Sequence, residues 1–80
     1  MKVIKIEWMD SCSSDMNWTK MCQLEGDFEP MKVLSYGILV ERNDECITIA
    51  QSYGGSPEQV SCLLTIPQGC VKSITEIDTI

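Results

Sequence analysis

The stretch MKVLSYGILVERNDECITIAQS, Met31–Ser52, decides the fold. Two apolar runs, Val33–Val40 and Cys46–Ala50, flank a polar break at Glu41–Glu45. Their Val, Ile, Leu and Tyr residues suit a pleated, half-buried surface. Each run is short for a helix, and Asn43 and Asp44 in the break tolerate turn conformations. The stretch therefore reads as a β-hairpin. Gly37 lies inside its first strand, where glycine marks a bulge or a close backbone approach. A strand that bends around a small barrel needs such a point. Alternation puts Leu34, Tyr36, Ile38 and Val40 on one face, with Val33, Ser35, Gly37 and Leu39 on the other. Both faces are fairly apolar, so this strand is expected to be central or to lie at an interface.

The flanking sequence supplies partners for the hairpin. Residues 2–8, KVIKIEW, alternate almost strictly, with Ile4, Ile6 and Trp8 facing one way and Lys5 and Glu7 the other. That is the period-two signature of a strand with one wet face. Beyond Ser52, Tyr53–Glu58 reads as a loop. Gln59–Ile66 reads as a fourth strand with Val60, Cys62, Leu64 and Ile66 inward. Pro67-Gln68-Gly69 cannot continue a paired strand and suits a single 3₁₀ turn. Val71–Ile77 is the fifth strand, after which Asp78–Ile80 is expected to fray. The connection from Met9 to Pro30 is long for so small a domain. Met16, Trp18, Met21, Cys22 and Leu24 outline a short helix there, capped by Ser14 or Asp15 and stopped by Gly26. The expectation is one all-β domain over residues 1–80, a five-stranded small barrel with a long first loop holding a short helix.

Composition narrows the function. The 80 residues carry twelve acids against six bases, a formal charge of −6, and no histidine. The six bases are scattered rather than clustered, so binding at a phosphate backbone, which relies on Lys and Arg to release counterions, is not expected. No apolar segment approaches the roughly 18 residues of a membrane-spanning helix. Five cysteines, Cys12, Cys22, Cys46, Cys62 and Cys70, make an odd number with no C-x-x-C pair. Neither a disulfide framework nor a structural zinc site is expected from them. Met1-Lys2 leads into an alternating strand rather than an apolar signal region, so a reducing cytoplasm is the expected setting, with free thiols acting as small apolar residues. With disulfides and metal set aside, oligomerisation is the remaining aid to so short a chain.

No catalytic apparatus stands out. Without histidine the usual base for a nucleophilic serine or cysteine is missing. Asp10, Asp15, Glu25, Asp27 and Glu29 lack a regular cation-ligand spacing and read as a solvated acidic loop. Gly54-Gly55 lacks the strand–helix context of a phosphate cradle. No cofactor is expected. The candidates for ligand contact are aromatic and polar residues near strand ends: Trp8, Asp10, Ser11, Trp18, Ser52 and Tyr53. Aromatic rings can stack on a flat ligand while Ser and Asp orient it. The alternative is that both tryptophans plug the barrel ends and the hydroxyls cap turns. Met9, Met16, Met21 and Met31 offer an adaptable apolar surface or fill gaps in the core.

Ser35–Ile49 (SYGILVERNDECITI) and Ile66–Val71 (IPQGCV) resemble the SH3-like and Sm-like small barrels. Gly37, Asp44 and Gly69 look like the glycine, aspartate and final-turn glycine of the Sm pattern. Gly37–Asp44 is one residue longer than the usual spacing, the asparagine of RNA-binding members is missing, and Gln68 stands where a basic residue is expected. A broader likeness covers most of the chain. Trp8–Ser11 (WMDS), the GILV strand, Ile47–Tyr53 (ITIAQSY) and Thr65–Ile74 (TIPQGCVKSI) are similar to small proteins of bacteriophages and prophages. That resemblance implies a phage accessory protein without prescribing an activity. The expected function is non-enzymatic binding by a homo-oligomer, counteracting host defence by sequestering a nucleotide-type signal or a host protein in the host cytoplasm. An anionic nucleotide would need the few bases to converge between subunits. The competing expectation is an Sm-like RNA-binding ring.

Overall fold

The computed structural model describes residues 1–11, 18–24, 26 and 29–80. Five strands, β1 (Lys2–Asp10), β2 (Met31–Arg42), β3 (Cys46–Gly54), β4 (Gln59–Pro67) and β5 (Val71–Thr79), form one antiparallel sheet in the order β4-β3-β2-β1-β5. The fold is all-β, as the alternation predicts. The β2–β3 turn forms where Asn43 and Asp44 stand: the Asn43 side-chain oxygen accepts the Glu45 and Cys46 N–H groups at 2.8 and 2.9 Å.

β2 serves two neighbours with different halves. It pairs with β1 from Met31 to Ile38, and with β3 only from Ile38 to Arg42. Gly37 stands at the changeover. A Cβ there would lie 2.8 Å from the Ala50 carbonyl oxygen and 3.1 Å from Ile49 Cβ, so glycine permits the close approach that lets β3 cross β2. The bulge itself falls at Val40, where the β2–β3 register shifts between Leu39 and Glu41. The inner face of β2 is the one bearing Val33, Ser35, Gly37 and Leu39, whereas Leu34, Tyr36 and Val40 face solvent. Ile38 is buried as well, outside the main cluster, on the wall of a cleft that it shares with Met1, Tyr53 and Val60.

Connectivity shows that the sheet curls. β4 and β5 are its opposite edges, yet only the 3₁₀ turn Gln68–Cys70 joins them. A flat five-stranded sheet would hold its edges ~19 Å apart, while the four steps from Pro67 to Val71 span at most ~14 Å. The turn is pinned to the β2–β3 turn, with the Gln68 N–H donating to the Glu45 carbonyl at 2.9 Å and its side-chain amide to the Asn43 carbonyl at 3.1 Å. Inside the curl sit Ile4, Ile6, Ile47, Ile49 and Ile66, with Trp8, Leu39, Cys70, Val71 and Ile74 packed against them. Closure stops there. No ladder joins β4 to β5, so the expected closed barrel is an open, curled sheet.

Four local expectations change. On β4 only Ile66 is buried; Val60 and Cys62 are exposed because beyond Ala50 the β3–β4 pair has left β2, and Leu64, opposite Ile49, is exposed on the sheet's edge strand. Tyr53 and Gly54, expected in a loop, extend β3 and pair with Val60 and Gln59. Asp78 and Thr79, expected to fray, pair with Val3 and Lys2, and the Ile80 N–H reaches the Met1 carbonyl at 2.7 Å. Of the long connection, the described part forms one 3₁₀ turn, Met21–Gln23, whose Met21 and Cys22 lie exposed. The Ser14 or Asp15 cap expected there lies outside the described residues. Cys22, Cys46, Cys62 and Cys70 are free thiols.

Candidate binding site

The sequence marks six residues, and the structure parts them into four places. Trp8 belongs to the core. Its ring packs on the isoleucine cluster, and its indole N–H donates to the Ser35 hydroxyl at 3.0 Å. Trp18 stands fully exposed and plugs nothing. Asp10 and Ser11 lie at the end of β1, and Ser52 and Tyr53 on the outer part of β3.

Each of the last two pairs borders a cleft. The Asp10 cleft, 510 Å³, lies between the end of β1 and the 3₁₀ turn before β5, with Met9, Pro30, Cys70 and Lys72 on its walls. It holds one acid and one base. Asp10 is already occupied in part, since its Oδ1 accepts the Ser11 N–H at 2.8 Å. The Tyr53 clefts lie at the other end of β1. One of 380 Å³ is bordered by Ser52, Tyr53, Gly55, Gln59 and Ser61. Its neighbour, 340 Å³, is bordered by Met1, Ile38, Val40, Tyr53, Glu58 and Val60. Tyr53, Gln59 and Val60 form the wall common to both. Nine residues of extended β1 separate Met1 from Asp10, ~30 Å, so the clefts of one chain cannot grip one small molecule.

The Tyr53 region has the more developed local chemistry. Tyr53 lies opposite Val60 and Ser52 opposite Ser61, so hydroxyls and an aromatic ring line one ribbon. Gly55 turns the chain with φ +85°, and a Cβ there would crowd the Gln59 side-chain amide at 3.3 Å. Hydrogen bonding to the Glu58 carboxylate holds the Tyr53 phenol above its ordinary pKa, with burial and the carboxylate charge acting the same way. Such a site offers stacking, hydroxyl and amide contacts. The Glu58 carboxylate beside the ring disfavours a phosphate directly against Tyr53. Glu58, Gln59, Val60 and Ser61 escape the sequence reading because their role depends on register. Once Tyr53 is placed opposite Val60 they follow.

Among the described residues, no three Cys, Asp or Glu side chains converge to hold a metal ion, and no helix is long and apolar enough to cross a membrane. Comparison with protein-family models, curated proteins and solved structures finds no match to this chain.

Proposed function

We propose that this chain is a non-enzymatic phage accessory protein that assembles with itself and acts by binding, counteracting host defence by sequestering a host protein or a nucleotide-type signal. The observation that carries the binding reading is the balance of apolar surface. Among the described residues fourteen large hydrophobic side chains are exposed, while seven hydrophobic residues are buried. Leu34, Tyr36 and Val40 among them lie on one face of β2, and contiguous exposed apolar surface marks interaction sites. The shape agrees: the radius of gyration is 16.8 Å, against ~12 Å for a compact chain of this length. Between the two cargo classes, Glu58 beside Tyr53 favours a protein, or the base rather than the phosphate of a nucleotide.

Strand order, the bend at Gly37 and the 3₁₀ step before β5 support an SH3-like or Sm-like fold for this module. The same features favour the second reading, an Sm-like RNA-binding ring, which the −6 charge and the absence of clustered bases weigh against. Native mass spectrometry of protein purified from its host tests the proposal. A mass at a multiple of 9.0 kDa carrying a co-purified protein or small molecule supports it; a bare 9.0 kDa species opposes it. Filter binding of single-stranded RNA across a salt series tests the rival, whose binding must be tight and fall steeply with salt.

A further inference from the structure

The two edges of the sheet are built differently. β5 carries Lys72, Glu76 and Asp78, and its register against β1 shifts twice, leaving Lys72 and Ile77 bulged out of the ladder. Charges and bulges are how soluble proteins keep a sheet edge from pairing with another chain. β4, Gln59–Pro67, has neither. It holds no charged residue and keeps one register against β3, interrupted only where Gln51 and Cys62 drop out of the ladder. Its departures from an open edge are a left-handed φ of +56° at Cys62 and Pro67 at its last position. Val60, Leu63 and Leu64 are exposed along it, Leu63 by 58%.

Charge says what covers this edge. The β3–β4 hairpin, residues 46–67, contains one charged residue, Glu58, of the eighteen in the chain. Two copies, each at −6, repel wherever acids face each other, and this hairpin is where they meet with least repulsion. Depletion of charge together with exposed apolar side chains is also the composition of an interface core. We infer that β4 is the self-association edge, pairing antiparallel with β4 of a second copy about a twofold axis. The overlap of two nine-residue strands is greatest when Leu63 of one copy lies opposite Leu63 of the other, and closed twofold symmetry needs one self-complementary patch. The joined sheet has ten strands and exposes only the charged, bulged β5 edges at its ends. The Tyr53 clefts then flank the interface, one from each copy. This arrangement rests on the proposed self-assembly and specifies which edge performs it.

Charge complementation at Leu63 tests the arrangement. The side chain is exposed, so Leu63→Glu and Leu63→Lys should fold as the parent does, checked by circular dichroism. Each variant alone should lose dimer, because like charges face each other across the axis. Mixing the two in equal amounts should restore dimer, by at least tenfold in dissociation constant over either variant alone. Assembly that survives in both variants, or that is lost in both and not restored on mixing, overturns the β4–β4 axis and assigns self-association to another surface. A monomeric parent defeats the assembly reading as well, so the two failures are told apart.

Discussion

The curled body of the sheet and the outer part of the β3–β4 hairpin are made from similar residues and behave oppositely. Ile47, Ile49 and Ile66 belong to the same two strands as Tyr53 and Val60, yet the first three are buried and the last two exposed. The difference is whether β2 lies alongside. β2 leaves β3 at Ala50, and beyond that point two strands remain without a third. A two-stranded ribbon is at best marginally stable alone, whereas the body has β1, β2 and β5 wrapped over it. Apolar content does not decide burial; the topology of the neighbours does.

Mutation of the two regions should separate them. Ile6, fully buried at the centre of the cluster, should cost about 3–4 kcal/mol when cut to alanine, by the usual range for large core truncations. Leu63→Ala should change the stability of the monomer by no more than about 0.5 kcal/mol, as for ordinary surface positions. Urea unfolding of both variants checks this pair, and equal losses would break the distinction between the buried body and the exposed β4 edge. Gly37→Val should cost about 3 kcal/mol, the upper end of overpacking, because its new side chain meets the Ala50 backbone oxygen. Ser35→Ala should cost about 1 kcal/mol by leaving the Trp8 indole N–H without its partner.

Smaller effects come from the charges. In the ribbon, Glu58→Gln should return the Tyr53 phenol toward its ordinary value, read by ultraviolet titration. Because the folded value is raised, the phenol contributes stability that is present below its unfolded pKa of about 10 and is lost as pH rises through the folded value. In the body, the Lys32 ammonium lies 3.0 Å from the Glu7 carboxylate, and hydrogen bonding to Lys32 is the main reason that Glu7 titrates below its usual range. Here the sign reverses. The contribution is present above the ordinary glutamate value and is lost as pH falls through the depressed one. Lys32→Ala should move the Glu7 titration up, followed by nuclear magnetic resonance, with the melting temperature nearly unchanged.

Local patterns made much of the fold legible. The alternation of Lys2–Trp8, the hairpin around Asn43–Asp44 and the turn after Pro67 are each written in neighbouring residues, and each is present. What depended on long-range pairing was not legible. Alternation alone marked Val60, Cys62 and Leu64 as inward, since a strand's period does not reveal where its neighbour ends. The missing β4–β5 ladder is likewise a property of how far the sheet curls, which no single segment encodes. At the candidate site, Ser52 and Tyr53 were visible as polar and aromatic residues at a strand end, and they do border a cleft. Their partners were hidden in the register. Trp18, another aromatic residue whose type suggests contact, stands fully exposed and lines none of the three clefts.

With Val60, Leu63 and Leu64 exposed along an uncharged edge, the chain is expected to self-associate. Light scattering coupled to size-exclusion chromatography, over a dilution series from high to low micromolar protein, measures it directly. The expected result is a mass at an integral multiple of 9.0 kDa at the upper concentrations, at least twice the single chain. A mass of 9.0 kDa across the whole series would contradict it and leave the uncharged β4 edge as a surface feature without a self-partner.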